Sequence, residues 1–246
     1  GVACGRLERH EEAETAFRKA LEIAPDDANF WKSLATALGH QDRFEDAVES
    51  IDHLLELVKT DAPVELREMA VQGLIEQGIR LGQLERPEDE ITAYGQVLEY
   101  VRPDDPEGLR HLAAAGLVQQ GVAFGLANRL EDEITVYDRV LEYVRPNDSE
   151  ELRYLAAIGQ GNRSVRLEQL GRLDDEIVAY DRVLEYVRPD DPEELRRLAA
   201  MALFSMGVTF GQLEQREDQI ATYDRVLEYV RPDDPEETRL EAAKAL

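Results

Sequence analysis

The chain has 246 residues, with 28 lysines and arginines against 53 aspartates and glutamates, a formal charge of −25. That balance argues against gripping a nucleic-acid backbone or an anionic membrane surface, both of which need a basic face. A single cysteine, Cys4, excludes an intramolecular disulfide, and there is no run of about 18 apolar residues such as a membrane span needs.

From the N-terminus, the pattern GVACG at Gly1 returns in related form at Ala35, Gly78, Gly121, Ser164 and Gly207, one interval of 34 residues and then four of 43. A second stretch, VLEYVRPDDPE at Val97, recurs at Val140, Val183 and Val226. Self-similarity at a fixed period of roughly 20 to 50 residues marks a stacked repeat array. Within each copy Val-Leu-Glu-Tyr-Val closes a helix whose apolar residues, Ile91, Tyr94, Leu98 and Val101 in the first, share one face. The Arg-Pro pair ends that helix. Asp105, Asp191 and Asp234, each one residue before a proline, read as N-caps of the next, with Glu194 and Glu237 completing a capping-box pattern. The copy at Asp148 has Ser149 in place of the proline. The unit is helix, tight turn, helix.

The run from Pro25 to Lys59, with Trp31, Leu34, Ala35, Leu38, Phe44, Ala47, Ile51, Leu54 and Leu55, resembles a tetratricopeptide repeat, and Ala13, Phe17, Ala20 and Pro25 match the second helix of the same family. The 43-residue copies resemble the family more loosely. They keep the small residue late in the first helix (Gly78, Gly121, Ser164, Gly207) and the second-helix tyrosine (Tyr94, Tyr137, Tyr180, Tyr223). Where Ala13 and Ala47 stand they carry Glu90, Glu133, Glu176 and Gln219, so their helix pairs are expected to pack differently.

The resemblance implies an all-α, right-handed superhelical solenoid of antiparallel helix pairs. The expected organisation is one array over residues 1–246, ordinary units over 1–60 and long units over 61–246. The surplus residues follow the second-helix tyrosine, and Leu109, Leu112, Ala113 and Leu117 continue an apolar stripe through them, so the first helices of the long units should be about two turns longer. Gly1 and Leu246 fall inside helices of the pattern, which predicts a segment of a longer protein whose exposed ends fray or associate end to end.

His10, His40, His53 and His111 occupy unrelated places without metal-ligand spacing, the acidic turns lack the EF-hand pattern, and no Gly-rich phosphate loop is present. Neither cofactor, metal nor catalysis is expected, and Cys4 reads as a core residue. The expected function is a cytoplasmic scaffold that binds a protein or peptide on the concave face; the alternative is the sensor arm of a larger bacterial signalling or protease-like enzyme. Capping explains acidic turns such as Asp174, Asp175 and Glu176, while a basic region on the partner is the second explanation.

Groove positions of the family map to Lys32 and Thr36, to Glu76 and Ile79, to Gln119 and Val122, and to Ser205 and Val208. The copy at 161–166 departs from its neighbours with Asn162, Arg163 and Arg166, and Gln160 stands where the others have leucine. Either this is drift, or the two arginines fork onto carboxylates of a partner.

Overall fold

A computed structural model describes residues 2–236 and 239. Among them the chain is all-α, with eleven α-helices, one short 3-10 turn and no strand. They form two compact units, Gly1–Asn128 and Arg129–Leu246. The first holds α1 (Val2–Ile23), α2 (Ala28–Gly39), α3 (Phe44–Leu57), α4 (Val64–Gln83), α5 (Pro87–Tyr100) and α6 (Glu107–Leu126). The second holds α7 (Leu130–Arg139), whose last residues tighten into the 3-10 turn Val140–Glu142, then α8 (Glu150–Gln169), α9 (Leu173–Tyr186), α10 (Glu193–Gln212) and α11 (Arg216–Tyr229). Cys4, Glu237 and Leu246, and with them the expectations for the core cysteine and the chain ends, lie outside the residues whose side chains are described.

Local chemistry explains the elements. Asp27 caps α2, its carboxylate accepting from the Asn29 N–H at 2.9 Å. Acids crowd the first turns of α3, α5, α7 and α9, against the positive ends of those helices. α3 buries Ala47, Ile51 and Leu54 on one stripe. In the first unit Leu34, Leu38 and Ala47 pack with Phe17, Phe30 and Trp31; in the second, Val183, Leu195, Leu203, Met206 and Val226 share one cluster. The first helices α4, α6, α8 and α10 each have 20 residues, whereas α2 has 12, and Glu107 to Leu112 form the opening turns of α6. Eight more residues lengthen a helix by about 12 Å.

Two turn types alternate. After a first helix, one residue takes a left-handed conformation: Asp42, Glu85, Asn128, Gly171 and Glu214, at φ of 58, 56, 57, 68 and 60°. The next N–H then reaches back five residues, as from Arg43 to Leu38 O, Arg86 to Leu81 O, Arg172 to Leu167 O and Gln215 to Phe210 O. This is the Schellman closure of a helix C-terminus, where glycine is the favoured left-handed residue. Only Gly171 supplies it.

The turn after a second helix corrects the capping expectation. Asp105 and Asp191 do not cap the helix that follows; Pro106 and Pro192 hold the N-cap positions of α6 and α10, without a side-chain bond, and the cap expected at Asp234 falls on a helix outside the described residues. Instead each aspartate folds back to accept the N–H three residues earlier, of Arg102, Arg188 and Arg231, at 2.7 Å. The capping-box reading of Glu194 falls with it. The same carboxylates receive a buried arginine. Arg67 reaches Asp105 with two bonds of 2.7 Å, Arg153 reaches Asp191 with two of 2.6 Å, and Arg196 reaches Asp234 at 2.8 and 2.6 Å. Each guanidinium also donates to the carbonyl that ends the second helix, at Tyr100, Tyr186 and Tyr229.

A planar fork matched to a carboxylate is the geometry in which a buried pair holds together. Hydrogen bonds from Arg67 hold the Asp105 carboxyl below its usual range, and those from Arg196 hold Asp234 down to about 2. At Asp191 burial pushes upward, but Arg153 and the Arg188 N–H outweigh it. The turn is gripped from its far side as well. Arg110 Nε donates to Asp105 O, and Arg196 Nε to Asp191 O.

Candidate functional site

All the groove positions lie on first helices. In the first unit a polar ladder joins α2 to α4. Lys32 Nζ donates to Gln72 Oε1, and Thr36 Oγ1 lies within hydrogen-bond reach of Glu76 Oε2 (3.2 Å) and Lys32 O (3.1 Å), its single hydrogen serving one or the other. Glu76 accepts in turn from Arg80 at 3.3 Å, and that guanidinium lies 5.7 Å from the Phe44 ring centre. Lys32, Thr36 and Glu76 are thus brought together as neighbours. Ile79 and Val122 face solvent, 43% and 42% exposed, and Gln119 is exposed beside them in sequence.

In the second unit the polar residues of α8 turn toward α7. Asn162 Nδ2 donates to the Tyr137 hydroxyl at 3.3 Å. Arg166 Nε meets both oxygens of Glu133 at 2.9 and 2.8 Å, and the Glu133 side chain is 1% exposed. Arg163 Nε stands 3.9 Å from Asp138 Oδ1. Arg166 therefore balances an acid buried in its own chain, since an unpaired buried carboxylate would be costly. The pair does not stand ready as a fork for a partner. Gln160 is fully buried and donates to Tyr137 O at 3.1 Å, replacing leucine packing by a hydrogen bond. Val165 and Val208 are 43% and 38% exposed, and Ser205 is half-buried. Among the described residues no cluster of three or more His, Cys, Asp or Glu is placed to hold a metal ion, and no helix is long and apolar enough to cross a membrane.

Residues 16–49 and 1–27 match two tetratricopeptide-repeat family models. No curated protein sequence matches the chain significantly. Among solved structures, BtubC (BKLC) from P. vanneervenii superposes with a TM-score of 0.60 at 14% identity, covering 96% of this chain and 96% of that one. YrrB, a TPR protein with an unusual peptide-binding site, gives 0.51 at 21% identity over 94% of this chain and 100% of its own. MamA gives 0.50 at 14% identity over 86% and 97%. This is a tetratricopeptide-repeat fold.

Within the tetratricopeptide architecture, the departure at Glu90, Glu133, Glu176 and Gln219 has a local answer. Ala47, the small residue of the ordinary repeat, is completely buried. Two of the large side chains that replace it, Glu90 and Gln219, lie over glycines of the facing first helix. A Cβ on Gly82 would come within 2.9 Å of Glu90 Oε2, and one on Gly211 within 2.5 Å of Gln219 Nε2. Burial pushes the Glu90 and Glu176 carboxyls above their ordinary range. Glu176 accepts a 2.9 Å bond from Thr209 Oγ1, and Glu133 takes Arg166 at the equivalent place one copy earlier. The tetratricopeptide tyrosine and glycine also fit together: a Cβ on Gly78 would come 2.6 Å from the Tyr94 ring. Sequence reading missed the pairing of Glu133 with Arg166, although Glu133 replaces the small residue of the ordinary repeat and Arg166 departs from its neighbouring copies 33 positions later.

Proposed function

We propose that the chain is a scaffold that binds a protein segment on the face presented by its first helices. The observation that carries this is a set of aliphatic side chains at one equivalent position, Ile79 and Val122 in the first unit and Val165 and Val208 in the second, all between 38% and 43% exposed. An exposed aliphatic residue is ordinary when it stands alone. Four at the same place in successive copies, on a solenoid fold built to offer extended surface, support a binding face. YrrB, whose fold this chain shares, has a peptide-binding site, and the charge of −25 favours a partner segment carrying lysine or arginine.

The test is selection of a displayed peptide library on the wild-type chain, followed by rebinding to the triple variant Ile79→Ser, Val122→Ser, Val208→Ser. Enriched peptides should be rich in lysine and arginine and should bind the variant about tenfold or more weakly. Equal binding to a folded variant would overturn the proposal.

A further inference from the structure

Between α8 and α10 the second unit holds an apolar cleft of about 150 Å³, floored by Tyr180 and Val183 and walled by Val165 and Met201, with Asn162 and Ser205 at its polar edge. Gly161 opens it. The equivalent residues of α4, α6 and α10 are Ile75, Val118 and Phe204, so three copies fill this place with a large side chain and one leaves it empty. Packing does not demand the glycine. A Cβ on Gly73 would come 2.9 Å from Leu54, one on Gly116 3.3 Å from Val97, and one on Gly78 2.6 Å from Tyr94, whereas one on Gly161 would meet nothing within 4 Å. A glycine in mid-helix weakens the helix relative to alanine, and here no close contact requires it.

From this geometry we infer that the Gly161 cleft is an anchor pocket for one leucine-sized side chain of a lysine- or arginine-bearing partner segment. The inference rests on the scaffold reading above and names the feature its partner must carry. An enclosed apolar cavity of roughly this size takes up a benzene-sized guest, which is about the bulk of a leucine or methionine side chain. Met201, itself 43% exposed, is a flexible wall that adapts to such a guest. The Asn162 amide and the Ser205 hydroxyl at the edge suit the peptide groups on either side of the anchor. With 53 acidic residues against 28 basic ones, the chain attracts basic residues flanking that anchor.

The probe is acetyl-Lys-Lys-Gly-Leu-Gly-Lys-Lys-amide, compared with the same peptide carrying alanine for leucine, titrated into chain labelled at its methionine methyls. The leucine peptide should shift the Met201 signal and bind at least about tenfold more tightly than the alanine peptide. Gly161→Val installs the residue that α6 has at Val118, and with helicity unchanged it should abolish that preference. Equal affinity of the two peptides for wild type, or a preference that survives in Gly161→Val, overturns the pocket while peptide binding itself still stands. Binding of neither peptide overturns it as well. The scaffold reading is judged separately, by the triple variant that leaves Gly161 and Val165 untouched.

Discussion

Arg67, Arg153 and Arg196, near the starts of α4, α8 and α10, make one arrangement three times over, with the same carboxylate fork and the same helix-ending carbonyl. About two turns further along the same helices, Ile75, Gly161 and Phe204 make three different surfaces. The contrast separates two kinds of constraint. A buried bidentate pair resists the replacement of one partner alone, because that leaves the other charge stranded away from water. A half-buried position outside such a pair, as at Ile75, Gly161 and Phe204, is free to differ from copy to copy.

The sharpest way to break the uniform side of this contrast is Arg153→Met. It strands the Asp191 carboxylate, and urea denaturation should show a loss of about 3–5 kcal/mol. The double variant Arg153→Met, Asp191→Leu should recover most of it, since a well-packed apolar pair of similar volume is often neutral. Equal stability of the single variant and wild type would mean that the fork holds nothing together.

Acid should weaken the same arrangement next. Asp105, Asp191 and Asp234 have folded pKa values below their unfolded ones, so the stability they contribute is present above about pH 3.9 and is lost as pH falls through the folded values, which for Asp234 is about 2. The urea midpoint should therefore fall between about pH 4.5 and pH 2.5, and fall less in the Arg153→Met, Asp191→Leu double variant. A midpoint with the same pH slope in both proteins would count against the assignment.

The smallest effect belongs to the left-handed turn residues. Glu214→Gly places at φ 60° the residue that Gly171 already supplies one copy earlier, and it should raise stability by about 0.5–1 kcal/mol. A loss on melting would show that Glu214 holds something more than its backbone angle.

What was legible in the sequence follows the same division. The helix pairs could be read because apolar spacing and Arg-Pro breaks are local. The aspartate of the VRPDDPE turn reads locally as a cap, since an acid before a proline is a local signal, whereas its real partner lies 38 residues upstream. A signal was present: Arg67, Arg110, Arg153, Arg196 and Arg239 recur every 43 residues inside an apolar stripe, where a charge needs a reason. The left-handed turns were hidden because four of their five positions carry Asp, Glu or Asn in place of glycine. Arg166 could be seen as unusual, but Glu133 beneath it could not be recognised as buried until the helices were assembled.

The turn at Asp191, its carboxylate held by Arg153 and its carbonyl by Arg196, has a consequence for how such a chain lengthens. A duplicated block of 43 residues brings one arginine and one aspartate already spaced to pair with each other, and it presents its turn carbonyl to whichever arginine comes next. Both seams close without a compensating change. Within the 43-residue part, a change of length between such an arginine and its aspartate would put the two out of register and leave a buried carboxylate unmatched, so that part lengthens most simply in whole blocks.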